Sequence, residues 1–180
     1  MKKLGKIILG LSLALLVGSC SLFDVDVETT FDATLDVAVD DPVAKMAGPP
    51  YHFFADKTID PQNNQDVQDY ADDIRELDVD NVYADVLNVS TDEVTILAGA
   101  LFKIYNTSDT AVFPVPSDWS ITDETTLNLA DHGGFYDDLS AILINFDEVF
   151  HVVIDGYSSK NNVEFTVKLS MDCTVTGTPF

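Results

Sequence analysis

The stretch that decides the fold is DVDVETTFDATLDVAVD, residues 24–40, where apolar side chains alternate with acidic or hydroxyl side chains almost without interruption. Successive side chains of a β-strand point to opposite faces, so this period of two predicts a long, half-buried strand, or two strands joined by a bend. Residues 163–175, VEFTVKLSMDCTV, repeat the pattern near the other end of the chain. Both segments predict β-structure with an acidic face turned to solvent.

Turn signals separate the remaining apolar segments into short elements. We predict further strands at 51–59, 79–89, 94–105, 111–115, within 119–129 and at 149–157. Segments 79–89 and 94–105 are expected to form a hairpin, with Gly99 marking a bulge or close packing. We expect one amphipathic helix at about 65–76 and another whose apolar stripe comprises Leu139, Ile142, Leu143, Phe146 and Phe150. The expected fold class is all-β with two short helices, an antiparallel β-sandwich of immunoglobulin-like architecture.

Composition limits the kind of protein this is. The 180 residues include 31 acidic and 9 basic side chains, a net charge of -22, and 46% are hydrophobic. Such an apolar fraction is too high for a disordered acidic tail, so we expect one folded domain. Scarce basic residues argue against nucleic acid as a partner, because affinity for phosphates depends on clustered Lys and Arg.

The first twenty residues have the composition of an export signal. A basic region, Met1 to Lys6, precedes an apolar run from Ile7 to Val17 and then two small residues. This order is typical of a secretory signal peptide. The run is shorter than the roughly 20 residues of a membrane span. We therefore expect the rest of the chain to be exported.

Val17-Gly18-Ser19-Cys20 resembles the lipobox of bacterial lipoproteins. The resemblance implies cleavage before Cys20, a diacylglyceryl thioether on its sulfur and acylation of its freed amine. Ser21 stands where Asp favours inner-membrane retention in enterobacterial members, so the outer membrane is the expected location, on either face. The resulting division is a signal peptide at 1–19, a lipid-anchored tether at 20–23 and an acidic domain at 24–180.

Two further segments resemble proteins of Bacteroidota. Residues 79–89, VDNVYADVLNV, follow the predicted acidic helix and resemble a segment of β-sandwich lipoproteins from that group. This resemblance implies the same fold and brings no known activity. Asp109-Thr110-Ala111 resembles the three-residue O-glycosylation signal of the same group, which implies that Thr110 is an acceptor.

Catalytic motifs are missing from the sequence. It contains no Gly-x-Ser-x-Gly, no His-Glu-x-x-His and no Cys-x-x-Cys. We therefore predict no catalytic residue, metal site or cofactor, and expect a non-enzymatic binding or structural module. With Cys20 committed to lipid, Cys173 has no disulfide partner, and we expect a small half-buried strand residue there instead of a reactive thiol.

The alternative is a carbohydrate-active or calcium-dependent surface protein with a glycan or protein partner. Trp119, beside a proline-containing loop, is the candidate ligand contact. Other aromatics near loops are Tyr51, Phe53, Phe54, Phe135 and Tyr136. Oxygen ligands for calcium would come from Asp78, Asp80 and Asn81, or from Asp131, Asp137 and Asp138.

The lipid anchor predicts the outcome of one substitution. Cys20→Ala removes the acceptor sulfur, and since stable anchoring needs more than one acyl chain, the variant is expected to leave the membrane pellet. Cys173→Ala is the matched control and should remain membrane-bound. Fractionation with mass spectrometry of the amino terminus measures both. Membrane pelleting of the Cys20 variant without acylation would contradict the prediction.

Overall fold

A computed structural model describes residues 25–40, 50–63 and 74–177 of the chain. Within these ranges the strands are β1 (Val25–Val39), β2 (Tyr51–Ile59), β3 (Ile74–Leu87), β4 (Val94–Ile96), β5 (Leu101–Tyr105), β6 (Thr110–Pro114), β7 (Trp119–Ile121), β8 (Thr125–Asn128), β9 (Phe150–Ser158) and β10 (Val163–Gly177). The helix α1 spans Phe135–Leu143, and a short 3-10 helix spans Pro61–Asn63. The predicted signal peptide and tether, and most of the predicted helix at 65–76, lie outside the described residues. The described ranges contain no helix of the length and apolarity that a membrane crossing requires.

The chain pairs with itself as one long hairpin, because strands of the first half are antiparallel to their counterparts in the second half. Cα partners are Val25 and Gly177, Tyr51 and Ser158, Tyr83 and Asn128, Val94 and Ile121, and Leu101 and Pro114. The tip of the hairpin is the turn at 106–109. There Asn106 Oδ1 accepts the backbone N–H groups of Ser108 and Asp109 at 3.0 and 2.7 Å, an arrangement that favours a tight turn.

This long hairpin is rolled into two sheets. One sheet has the strand order β1-β10-β3-β8, and the other has the order β6-β5-β9-β4-β7 with β2 paired to β9. β4 and β5 pair with the same edge of β9, one after the other along its length. On their far side β4 pairs with β7 and β5 pairs with β6, so β7 and β6 together occupy the next strand position. The six-stranded sheet is therefore four strands wide, like the four-stranded sheet that it faces.

The antiparallel β-sandwich predicted from the alternation is confirmed, but its strand order differs from the immunoglobulin arrangement. In an immunoglobulin domain the first two strands are neighbours in one sheet. Here β1 and β2 lie in different sheets, and β1 neighbours the last strand, β10. Two facing sheets made from one rolled hairpin have the order of a jelly roll.

Several predicted boundaries change once the sheets are assembled. The hairpin expected between 79–89 and 94–105 is wrong, because β3 lies in one sheet whereas β4 and β5 lie in the other. Residues 74–76, placed at the end of a helix, begin β3. Phe150, which fell both on the helical stripe and in the strand predicted at 149–157, begins β9, in agreement with the strand prediction. Pairing partners distant in sequence decide these positions.

Gly99 interrupts the strand predicted at 94–105, as its position in the apolar run indicated. Its φ of 87° lies in the left-handed region that glycine adopts without a side-chain clash. The backbone N–H groups at this interruption are still hydrogen-bonded. Gly99 N–H donates to Val115 O at 2.9 Å, and Ala98 N–H donates to Asp118 Oδ1 at 2.9 Å.

A β-bulge at Asp80 explains the VDNV spacing in β3. Residues Asn81 and Val79 face consecutive residues of β10, which leaves Asp80 as the extra residue. Both Val79 and Val82 consequently point inward and are buried. The N–H of Val79 donates to Ser140 Oγ of α1 at 3.1 Å.

The helix α1 packs over the side of the sandwich between β3 and β6. It buries one face, comprising Phe135, Leu139, Ile142 and Leu143. The Phe135 ring lies 5.7 Å from that of Phe113, between centroids. The four predicted stripe residues from Leu139 to Phe146 are buried, so the helical prediction holds here up to Leu143, where α1 ends.

Gly156 permits the closest approach inside the six-stranded sheet. A Cβ atom at this position would lie 2.6 Å from Ala100 Cβ and 3.0 Å from Phe53 Cζ.

We expect Gly156→Ala to reduce the free energy of unfolding by about 1–3 kcal/mol, the usual cost of overpacking. Urea denaturation measures the change. Adding Ala100→Gly should recover part of the loss, with Ala100→Gly alone as the control, and wild-type stability of Gly156→Ala would refute this account.

Candidate functional site

The two outer surfaces of the sandwich differ in chemistry. The outer surface of the four-stranded sheet, here called the acidic face, carries rows in which a hydroxyl faces a carboxylate across neighbouring strands. The hydrogen bonds, each donated by the hydroxyl, are Thr30 to Asp172 (2.8 Å), Ser170 to Asp32 (2.7 Å), Thr166 to Asp36 (3.0 Å), Thr176 to Asp26 (2.9 Å), Thr174 to Asp80 (2.8 Å) and Thr126 to Asp85 (2.5 Å). The acidic face is thus a solvated surface on which six carboxylates are bonded to neighbouring strands.

Lys168 is placed among these carboxylates. Its Nζ lies 2.9 Å from Asp32 Oδ2, and the hydrogen bond and charge of Asp32 raise the pKa of the Lys168 ammonium. Lys168 therefore stays charged and offsets part of the repulsion between acids on the acidic face.

The segments suggested for calcium have other roles in the structure. Asp80 accepts the Thr174 hydroxyl, and Asp131 Oδ1 accepts the N–H of Tyr136 at 3.1 Å. Asp137 and Asp138 lie in the first turn of α1, where acids complement the helix dipole. Among the described residues, no three His, Cys, Asp or Glu side chains are grouped so that they could hold a metal ion.

The outer surface of the six-stranded sheet carries aromatic side chains, and we call it the aromatic face. Its position follows from alternation: Phe53, Phe102, Phe113 and Ile154 point inward and are buried, so residues between inward positions point outward. The outward residues are His52, Phe54, Asp56 and Thr58 in β2; His151, Val153, Asp155 and Tyr157 in β9; Leu101, Lys103 and Tyr105 in β5; and Thr110, Val112 and Pro114 in β6.

Aromatic rings occur at both ends of β9 on this face. At one end, His52 Nε2 donates a hydrogen bond to Asp155 Oδ1 at 2.8 Å, and the His52 ring meets that of Tyr157 edge-on, with the centroids 5.3 Å apart. Phe54 pairs with Asp155 in register, beside the same group. His52, Phe54 and Tyr157 are thus neighbours of Asp155 on this end of the aromatic face.

The other end of β9 carries a stacked pair. The rings of Tyr105 and His151 lie 5.0 Å apart with an interplanar angle of 19°. Lys103 Nζ lies 4.6 Å from the centroid of the Tyr105 ring, within cation–π range. Thr58 Oγ1 lies 3.1 Å from His151 Nδ1, which fixes the imidazole ring plane.

Exposed apolar area is concentrated on the aromatic face. Phe54 is 54% exposed and Tyr157 49%, and Leu101 and Val112 are also exposed. Isolated exposed hydrophobic residues are ordinary, but a group on one surface marks an interaction site more often. Among the outward residues of β2, β5, β6 and β9, the fixed charges are Lys103, Asp56 and Asp155, so this face is close to neutral in a protein of net charge -22.

The structure separates the aromatics named from the sequence. Trp119 lies in the core, 8% exposed, with its ring centroid 6.5 Å from that of Phe102, so it presents no surface for a ligand. Phe53 and Phe135 are buried as well, whereas Phe54 lies on the aromatic face. Thr110 is exposed at the start of β6, on the border of that face, and its glycosylation stays a prediction.

The sequence alone does not distinguish His52, Tyr105, His151 and Tyr157 from other strand residues. The feature of the sequence that points to these residues is the type of side chain at the outward positions of each strand. Outward positions carry mainly Asp and Thr in β1 and β10, but aromatic residues and histidine in β2 and β9. Which positions are adjacent depends on the pairing of β2 and β5 with β9, which lie far apart in sequence.

Comparison with known proteins gives only distant likenesses. No protein-family model matches the chain, and no curated protein sequence matches it. Among solved structures, Desmodium yellow mottle tymovirus matches at 8% identity and a TM-score of 0.39, covering 88% of this chain and 84% of that one. The decameric BFDV capsid protein matches at 5% identity and a TM-score of 0.43, covering 85% and 99%. Turnip yellow mosaic virus matches at 6% identity and a TM-score of 0.33, covering 88% and 97%.

Cys173 lies beneath the acidic face and is buried, with 1% of its surface exposed. The predicted strand position is confirmed, but the residue is fully buried where a half-buried one was predicted. Desolvation raises the pKa of its thiol to about 12, with further contributions from the negative charges of Asp80 and Asp172. The thiol is therefore protonated across the physiological range.

This shift predicts how stability changes in alkali. Above pH 9 the unfolded thiol ionises while the folded thiol stays protonated, so the free energy of unfolding should fall by about 1.4 kcal/mol per pH unit until pH reaches the folded pKa. Urea denaturation at several pH values measures the slope. Cys173→Ala removes this contribution and should flatten the slope by that amount. Parallel slopes for both proteins would contradict the assigned pKa.

Proposed function

We propose that the chain is a lipid-anchored lipoprotein of the cell envelope, held in the outer membrane by the lipid on Cys20, whose β-sandwich binds a partner without catalysis. The anchor is supported by the basic region, the apolar run and the lipobox that precede the domain. The observation that carries the binding role is the aromatic face, because four of the seven exposed large hydrophobic residues among the described ranges are grouped there, namely Phe54, Leu101, Val112 and Tyr157.

The form of the aromatic face suits binding better than catalysis. It is the outer surface of a sheet, open to solvent, whereas enzymes generally surround the reacting groups and exclude water. The rings at its two ends are held by partners within the protein, His52 by Asp155 and His151 by Thr58. Rings that are already positioned lose little freedom when a partner binds, which favours affinity.

Removing the rings tests this proposal. The full chain, purified in mild detergent and immobilised, is exposed to the envelope fraction of the cells that make it. Phe54→Thr with Tyr157→Thr keeps strand-forming residues while removing both exposed rings, so retention of the partner should fall at least tenfold. Leu87→Thr is the matched control, because Leu87 is an exposed apolar residue of β3 in the opposite sheet.

The readout is the set of retained molecules, separated into polysaccharide and protein, with circular dichroism to show that each variant is folded. Loss of retention in the double variant and not in Leu87→Thr supports the proposal. Identical retention by wild type and double variant would overturn it.

A further inference from the structure

We infer that the partner of the aromatic face is an uncharged, extended polysaccharide chain that lies along β9. This inference rests on the proposed binding role and adds the chemical class of the ligand. Charge, available area and the spacing of the rings each favour it.

Charge separates an uncharged ligand from charged ones. A polyanion must approach a protein of net charge -22, whose field extends over about 8 Å at physiological ionic strength. A polycation would find many more carboxylates on the acidic face than the two, Asp56 and Asp155, on the aromatic face. The aromatic face is favoured over the rest of the surface only for a partner whose affinity does not depend on net charge.

Area separates a chain ligand from a second copy of this protein. Four strand positions about 4.8 Å apart and six residue steps of about 3.4 Å along β9 give roughly 20 by 20 Å, or about 400 Å². A stable protein interface needs about 800 Å² from each partner. A larger interface between two copies would extend past the near-neutral aromatic face and bring negatively charged surfaces together, which repel each other.

The spacing of the rings fits a linear chain of sugars. Tyr157 and His151 are six residues apart on β9, about 20 Å along the strand, which spans several pyranose rings. Aromatic faces carry partial negative charge and attract the polarised C–H groups on the flat side of a pyranose ring. Phe54 and Tyr157 supply one such contact, and the Tyr105–His151 stack supplies the other.

Polar groups between the two contacts match sugar hydroxyls. Asp56 and Asp155 accept hydrogen bonds, and Lys103 donates them, all from the outward side of the strands. Hydroxyl groups both donate and accept, so a neutral sugar can satisfy both kinds of partner. An aliphatic ligand would displace water from these polar groups without replacing the lost hydrogen bonds, which costs free energy.

The test measures binding of purified polysaccharides to the full chain in mild detergent by calorimetry and affinity electrophoresis. Linear glucan, mannan and xylan are the uncharged probes, and alginate and polygalacturonate are the charged ones. We expect at least one uncharged probe to bind, with affinity that changes less than twofold between low and high salt. Phe54→Thr with Tyr157→Thr, and separately Tyr105→Thr, should each weaken it at least tenfold, while Leu87→Thr leaves it unchanged.

Each other outcome overturns the inference. These outcomes are no binding of any uncharged probe, stronger binding of a uronate, unchanged affinity in the ring variants, and a dimer in light scattering that Phe54→Thr dissociates. The proposed binding role is contradicted by a different result, namely identical retention of envelope molecules by the wild type and the double variant. If the envelope fraction yields a protein that the double variant no longer retains, the binding role stands and the polysaccharide inference falls.

Discussion

The fold depends on the reversed pairing of the chain's first half with its second half. β1 and β10 face each other over fifteen residues without a register shift, and every strand from β2 to β5 has its counterpart further along the same hairpin. A shift of one residue in any pair would turn buried side chains outward. The bulge at Asp80 and the interruption at Gly99 lie where the sequence itself departs from the period of two.

This constraint leaves the outward positions free to differ between the two sheets. Inward positions in both sheets are filled mainly by valine, leucine, isoleucine, phenylalanine and alanine, which build one continuous core. Outward positions on the acidic face carry carboxylates and hydroxyls that bond across strands, whereas those on the aromatic face carry rings near neutral charge. One sandwich therefore combines a strongly hydrated surface with a surface suited to contact.

Local pattern predicted the strands well and the assembly poorly. Residues 24–40 and 163–175 alternate so regularly that both strands were evident, and α1 was evident from Leu139, Ile142 and Leu143. The sheet membership of β3 and β4 was missed, since a short loop between two strands is typical of a hairpin and equally able to cross between sheets. The candidate site was missed for the same reason. Phe54 is visible in the sequence as an aromatic residue near a loop, but its neighbours Tyr157 and Asp155 are about a hundred positions away in sequence.

The reversed pairing also determines the entropy cost of closing each loop of the chain during folding. Joining β1 to β10 directly would close a loop of well over a hundred residues, but the turn at 106–109 is local, and each pair formed outward from it shortens the next loop to be closed. Since the closure cost rises with the logarithm of loop length, successive short closures are each inexpensive. Folding that proceeds outward from the turn pairs β1 with β10 after the inner strands, so the sandwich closes with its two longest strands, of fifteen residues each.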